Sequence, residues 1–368
     1  MATIKGDEYT EKEPAFGLGP SSRLLHTTHH PNCSNMHMPR ASCLALALTA
    51  ASTPASAYAL IAGQPRGERS RRGSAAMNLA IMMNGLPGAM GREIASAAIR
   101  REGVTLAPFA LTGAGMGGEV EVDGVTVRLY EPSEKEECAR LAKEAYPEAG
   151  SLVCIDFTHP TAVNGNAEWY GANRLPFVMG TTGGDRDALF GVTRESGTYA
   201  VIAPNMAKQI VALQAALEQM ASDFGGSFEG YALSVVESHQ STKADTSGTA
   251  KAVSTSLAKL TNEPDFTADD YAQIQRVRDT DEQLAGGGSS HRGCSPVPEA
   301  FLGGHAFHTY ALTSADGNVE FQFRHNVCGR STYAEGSVDA AVFLAKRVGA
   351  AAEQRVYDMV DVLKMGGI

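Results

Sequence analysis

Two hydrophobic rhythms alternate along this chain from residue 77 onward: short apolar runs of strand length, then stretches whose apolar residues recur three and four apart. The first pair is Asn78-Leu-Ala-Ile-Met-Met-Asn84, a strand, and Arg92 to Arg100, where Ile94, Ala98 and Ile99 share one side of a helix. Further strands are predicted over 104–111, 152–157, 176–179 and 199–202, with helices over 133–145, 161–173 and 185–195. A β-like excursion over 119–127 turns at Asp123-Gly124. Strands alternating with helices predict a parallel sheet covered on both faces. After residue 205 the order changes. A strand over 228–237 leads to a helix from Ser247 to Leu260 with Ala250, Val253, Leu257 and Leu260 at helical spacing. Strands over 306–313 and 319–326 follow, joined by a turn at 315–318, and then a helix over 332–348. These strands form an open mixed sheet, whose edges need cover; a homo-oligomer, dimer or tetramer, is expected.

The turn between the first strand and helix reads Gly85-Leu86-Pro87-Gly88-Ala89-Met90-Gly91. Three glycines spaced by two residues, between a strand and a helix, open a dinucleotide-binding βαβ unit. The helix start supplies N–H groups and dipole to a pyrophosphate. The fold class expected is therefore α/β: an N-terminal Rossmann-type parallel sheet plus an α+β substrate domain with an open mixed sheet. The second strand ends in Leu111-Thr112-Gly113, with neither the acidic residue that favours NAD nor an arginine for a 2′-phosphate. Thr112 can donate to a phosphate, so NADPH is expected, with NADH possible. Ligands of open parallel sheets lie beyond the strands' carboxyl ends. Those ends carry Asp156-Phe157-Thr158, Gly180-Thr181-Thr182-Gly183 and Ala203-Pro204-Asn205-Met206, where a nicotinamide ribose would sit.

The substrate half is organised around Val235-Val-Glu-Ser-His239-Gln240-Ser-Thr-Lys243-Ala-Asp245-Thr-Ser247-Gly248-Thr249. The strand runs out before His239, a proton-transfer side chain suited to neutral pH, and Lys243, a compact cation. Asp245 or Ser247 caps the next helix, and Gly248-Thr249 exposes N–H groups where a carboxylate is favourably held.

Composition narrows the function classes. The net charge of −10 argues against a nucleic-acid surface, which needs clustered Lys and Arg. No run of about 18 apolar residues is present, so no membrane span is expected. The six cysteines are scattered without C-x-x-C and read as reduced thiols; with no ligand cluster, no metal is expected. Between Phe16 and Ala76 the sole acidic residue is Glu68, against six arginines, in a Ser/Thr/Ala background. That composition predicts an organelle transit leader over 1–76. Residues 1–76 hold eight of the 31 basic and five of the 41 acidic residues, so their removal leaves a chain near −13.

Together, G-L-P-G-A-M-G, D-F-T, G-T-T-G, A-P-N-M, E-S-H-Q-S-T-K-A-D-T-S-G-T-A, G-H-A-F-H-T-Y-A-L and H-N-V-C-G-R-S-T-Y-A-E-G resemble the dihydrodipicolinate reductase family, in particular its plant-type branch, over residues 77–368. The resemblance implies NAD(P)H-dependent reduction of 4-hydroxy-tetrahydrodipicolinate, a small dicarboxylate, on the diaminopimelate route to lysine in a chloroplast. It implies a dinucleotide-binding domain over 77–204 to which 331–368 returns, and a substrate and oligomerisation domain over 205–330. Carried over by residue, Gly85 to Met90 match the pyrophosphate loop, and Gly180 to Thr182 with Ala203 to Met206 the nicotinamide and ribose contacts. His239 matches the proton donor, Lys243 the catalytic lysine, and Gly248-Thr249 the carboxylate anchor. Gln240 replaces the second histidine of the bacterial pattern, and Thr112 stands where bacterial members carry arginine. Two other classes fit parts of the pattern: another nicotinamide oxidoreductase of a small carboxylate, and a non-catalytic dinucleotide sensor. His291, His305, His308 and His325 read as structural, Arg330 as a second anion contact, and residues 283–298 as a loop or lid.

Overall fold

The structure, a computed structural model, describes residues 78–262, 273–287 and 293–366. The expected leader and His291 lie outside the described residues. The elements run β1 (Leu79–Asn84), α1 (Ala89–Arg100), β2 (Val104–Leu106), β3 (Phe109–Leu111), β4 (Gly118–Val122), β5 (Val125–Tyr130), α2 (Lys135–Ala145), β6 (Leu152–Asp156), α3 (Val163–Asn173), β7 (Phe177–Met179), α4 (Arg186–Ser196) and β8 (Ala200–Ile202). They continue α5 (Lys208–Asp223), β9 (Ala232–His239), α6 (Gly248–Thr261), β10 (Ile274–Val277), α7 (Thr280–Leu284), β11 (His305–Thr313), β12 (Glu320–Cys328), α8 (Ser331–Gly349), β13 (Val356–Tyr357) and α9 (Met359–Gly366).

Six strands in the order β13-β8-β7-β6-β1-β2 form one parallel sheet. Strand β1 shows why helices cover both faces. Leu79, Ile81 and Met83 of β1 pack with α1, α8 and α9 through Ile94, Ala98, Val338, Leu344 and Val362. Ala80 and Met82, on the opposite face, pack with α2 and α3 through Cys138, Ala142 and Tyr170. Both faces of such a strand are buried, so it reads as a continuous apolar run rather than an alternation.

The strand expected over 104–111 is two strands in different sheets. Proline has no N–H to donate to a ladder, and the chain changes partners at Pro108. β2 pairs with β1, whereas β3 pairs with β5 in a three-stranded sheet of order β3-β5-β4. The Pro108 carbonyl still accepts from Arg128 N at 2.9 Å.

The second large sheet has the order β10-β9-β11-β12. β9 and β10 are parallel while β11 is antiparallel to both β9 and β12, so the sheet is mixed. α5 and α6 cover one face through Leu217, Val253 and Leu257 against Val235, Tyr310 and Leu312. Edge strand β12 leaves Phe321 46% exposed. Among the described residues no helix is long and apolar enough to cross a membrane.

Candidate functional site

The glycine turn is shaped by its own packing as much as by any ligand. Gly85 has φ +104°, a conformation that L side chains rarely adopt, and a Cβ there would lie 2.2 Å from the Phe157 carbonyl oxygen. A Cβ on Gly88 would lie 2.9 Å from Gly85 O, and Gly88 N–H donates to that oxygen at 3.0 Å. Gly88 is the N-cap of α1 and offers no capping side chain, so the first-turn N–H groups are left to an external acceptor. Leu86-Pro87 is cis, and Ala89 and Met90 begin the helix.

Beyond this turn lies a pocket of about 310 Å³ lined by Gly85, Gly88, Thr112, Lys135, Phe157 and His159, among others. The Thr112 hydroxyl donates to Leu86 O at 2.7 Å. A phosphate in the pocket would have to draw that hydroxyl from this bond. Lys135 supplies a cation to the same lining. It is half-buried, donates to Asn166 Oδ1 at 2.8 Å, and burial lowers its pKa. The sequence pattern predicts a helix over 133–145 but singles out no residue of it; only the topology places Lys135, the first residue of α2, beside this pocket.

A buried hub joins those strand ends. Asp156, fully buried, accepts from Tyr170 OH at 2.8 Å, Asn166 Nδ2 at 2.9 Å, Thr158 Oγ1 at 2.7 Å and Thr181 Oγ1 at 2.9 Å. Asn84 donates to Tyr170 OH and accepts from Leu111 N, tying β1 and β3 to the same hub. Thr158 N adds a fifth bond at 3.1 Å, and together these hydrogen bonds to one buried carboxylate compensate its desolvation. Phe157 lies over Gly180, where a Cβ would meet the ring at 2.2 Å. A smaller pocket of about 180 Å³ follows, lined by Thr181, exposed Thr182, Ala203 and Pro204. Asn205 then reaches across: its Nδ2 donates to Thr249 Oγ1 at 3.1 Å, and its Oδ1 accepts from Ala207 N at 2.9 Å. Buried Met206 packs behind it with its carbonyl against α8. The turn after β8 and the start of α6, 44 residues apart in sequence, are thus in contact.

In the other half, β9 extends further than expected and ends on His239. His239 is 8% exposed. Its Nδ1 lies 3.1 Å from His305 O and its Nε2 lies 3.0 Å from His308 Nε2. Burial above all, then Arg278 and Lys243, push its pKa down to about 3. Without a bound anion His239 is therefore neutral at pH 7, which corrects the expectation of a pKa near working pH. Glu237, fully buried, pairs with Arg278 and accepts from Ser247 N at 2.9 Å, so it fixes where α6 begins. Arg278 also donates to Lys243 O at 2.8 Å, and Gln283 of α7 donates to His239 O at 2.6 Å. Neither Asp245 nor Ser247 caps α6 with its side chain. Asp245 instead pairs with Lys243 Nζ at 2.9 Å. The first residues of α6, exposed Gly248 and half-buried Thr249, follow half-buried Gln240 and Lys243 along the same connection. An uncapped helix start, one cation and a histidine are the groups that can hold a dianion.

The expectation that no ligand-type cluster exists does not hold geometrically: Glu237, His239 and His308 place ligand atoms within 4.8 Å of one another. Glu237 is already neutralised by Arg278, which opposes a further cation. His308 belongs to the site, in contact with His239. His305 is bonded to Ser238 Oγ at 2.8 Å and Phe301 O at 3.1 Å. His325 lies against His308, with ring centroids 4.5 Å apart and the rings tilted by 43°. Arg330 is exposed at the start of α8, over Gly304.

Comparison with known proteins covers both halves of the chain. Residues 79–206 match the model of the dihydrodipicolinate reductase N-terminus, and residues 209–363 that of its C-terminus. The chain is 47% identical over 291 residues, 79% of each chain, to 4-hydroxy-tetrahydrodipicolinate reductase 1, chloroplastic, of Arabidopsis thaliana. It is 45% identical over 289 residues, 78% of this chain and 79% of the relative, to the probable reductase 1, chloroplastic, of Oryza sativa subsp. japonica. Among solved structures, dipicolinate-bound dihydrodipicolinate reductase from Paenisporosarcina sp. TG-14 superposes with TM-score 0.51 at 17% identity, covering 77% of this chain and 98% of that one. The chain belongs to the dihydrodipicolinate reductase family.

Proposed function

We propose that this chain reduces 4-hydroxy-tetrahydrodipicolinate to tetrahydrodipicolinate, in lysine biosynthesis, at the cleft where the strand-end turns meet the start of α6. The observation that carries the reading is the Asn205–Thr249 hydrogen bond, which sets a strand-end loop of the first sheet beside the uncapped start of α6. The residues present fit a nicotinamide cofactor: an uncapped helix start at Gly88, a pocket beyond it, and small residues at Gly180 and Ala203 beside the cleft. When bound, that cofactor supplies the hydride. Gly248 and Thr249 N–H groups hold one substrate carboxylate, and Lys243 exchanges Asp245 for the other. The anion offsets the burial and the neighbouring cations that keep His239 neutral, so His239 takes up a proton as the substrate arrives. The 4-hydroxyl leaves as water with a ring hydrogen, and His239 gives its proton to the resulting unsaturated ring as hydride is added. Half-buried Lys135 favours NADPH, whose extra phosphate supplies a partner for its charge. The exposed edge of β12 supports assembly into a dimer or tetramer, and the leader composition supports a chloroplast address, as in the named plant relatives.

The deciding experiment is an assay coupled to dihydrodipicolinate synthase, following NADPH and NADH oxidation separately; no oxidation of either overturns the reading. His239→Gln is expected to lower kcat roughly 10²–10⁴-fold with little change in substrate affinity. Lys243→Ala is expected to raise KM as well as lower kcat, because it removes binding made before the transition state.

A further inference from the structure

We propose that His308, backed by Tyr310, is a positioning residue of this active site: it holds His239 through a hydrogen bond whose direction reverses when His239 becomes protonated. The proposal rests on the reading of His239 as proton donor.

The bond partners fix the resting state. The His305 carbonyl can only accept, so His239 Nδ1 carries hydrogen and donates to it. In neutral His239 the Nε2 atom is then an acceptor, and the group facing it at 3.0 Å, His308 Nε2, must donate. His308 Nδ1 in turn accepts, and its partner at 2.8 Å is the Tyr310 hydroxyl. The chain of donors runs Tyr310 to His308 to His239 to the His305 carbonyl. Every nitrogen is satisfied with no charge in the pair.

Protonated His239 needs the opposite arrangement. With hydrogen on both nitrogens its Nε2 donates, so His308 Nε2 must accept and His308 Nδ1 must carry the hydrogen. The Tyr310 hydroxyl then accepts it. One solvent proton is gained by the His239–His308 pair in this change, and that same proton leaves to the substrate at turnover, returning the pair to neutrality. A backbone carbonyl in place of His308 would satisfy only the charged state, and an N–H group only the neutral one. Imidazole and phenol hydroxyl can each do both. Both are buried, at 1% and 0% exposure, so neither has water as an alternative partner. A partnerless Nε2 in that place would forfeit a buried hydrogen bond in one state or the other.

The remaining ionisable groups facing the pair set the same requirement. Arg278 and Lys243 oppose charge on both rings, His325 lies tilted against His308, His305 presents its carbonyl, and Glu237 stands 4.0 Å from His239 Nε2. Glu237 is committed to Arg278 and Ser247, so His308 is left as the group that follows the protonation state of His239.

The test combines ¹⁵N-histidine spectra of the full chain with kinetics. In free protein His308 is expected as the Nε2–H tautomer, and on saturation with dipicolinate as the Nδ1–H tautomer. His308→Phe should move the apparent pKa that limits kcat acidward by about one unit and lower kcat near neutral pH about tenfold, with KM within about threefold. His308→Gln, whose amide can present either N–H or carbonyl, should recover most of that loss. A folded His308→Phe protein with an unmoved pH profile, or a His308 tautomer other than Nε2–H in free protein, overturns the proposal. Absence of turnover by the wild-type chain overturns the functional reading alone, because the resting tautomers are read without substrate.

Discussion

Gly336 lies inside α8, in the stretch Ser331-Thr-Tyr-Ala-Glu-Gly336, and its place is set by contact with the opposite wall of the cofactor cleft. A Cβ built on it would stand 1.7 Å from the Met206 carbonyl oxygen and 2.9 Å from its carbon. Carbon–oxygen contacts below about 3 Å do not persist at close packing, so Gly336→Ala must displace the Met206 carbonyl or the helix by roughly 1.3 Å. Overpacking of this kind costs about 1–3 kcal/mol, offset by up to about 1 kcal/mol of helix propensity gained over glycine. A net loss of about 1–2 kcal/mol lowers Tm by several degrees. The larger effect is on activity: Asn205 precedes Met206 and carries the bond to Thr249. A displacement near 1 Å at a positioning group costs on the order of 10²-fold in rate. Calorimetry and steady-state kinetics of Gly336→Ala should therefore show a modest stability loss beside a large fall in kcat/KM. Gly349→Ala, on the same helix with nothing within 4 Å of its Cβ, serves as the control and should leave both unchanged or slightly improved. A Gly336→Ala protein with control-like Tm and kcat/KM would refute the contact argument.

Four further outcomes are expected. Gly88→Val should weaken NADPH binding at least about tenfold, since its Cβ already meets Gly85 O at 2.9 Å; calorimetric titration with unchanged affinity would mean the turn is not the phosphate site. Asn205→Ala should raise KM for the dicarboxylate while leaving NADPH affinity within about threefold, a loss of about 0.5–1.5 kcal/mol for one hydrogen bond; an unchanged KM would sever the link drawn between the two halves. Asp245→Asn should tighten dipicolinate binding a few-fold by releasing Lys243 from an exposed pair worth under about 1 kcal/mol, and weaker binding would contradict that role. Stability should fall on acidification. His239 and His325 are held at about 3 and about 4, and His305 and His308 below their ordinary 6.5, chiefly by burial. Folded and neutral, they refuse protons that the unfolded chain accepts below pH 6.5, so their contribution is full above that pH and is lost toward the folded values. Urea unfolding at pH 7.5 and 5.5 should differ by at least about 2 kcal/mol, and equal midpoints would count against neutral burial of this cluster.

The alternating rhythm made most of the first sheet legible, because a strand buried on both faces and a one-sided helix leave different spacings. The glycine turn and the start of α6 were legible for the same local reason. What escaped depended on distant partners. The break at Pro108 was visible as a residue, but that the chain there enters another sheet follows from β5, seventeen residues later. His239 was singled out, yet its burial comes from β11, and periodicity cannot report that His308 stands opposite it. β10 and β13, of four and two residues, are too short to show a pattern, although β10 makes the second sheet mixed. Thr112 was chosen for its hydroxyl, which the local turn engages.

The closing of the first sheet by β13 and of its apolar face by α8 and α9 has a consequence for how the protein is born. Ile81 and Ile94 are shielded by Val338, Leu344 and Val362, which leave the ribosome some 250 residues after them. Until then the opening βαβ unit carries an unshielded oily flank and has only chaperones to cover it. If the chain crosses an organelle envelope amino end first, the same interval recurs on the far side. Nonsense or frameshift products ending before residue 331 should accordingly be recovered in inclusion bodies rather than as half-active enzyme.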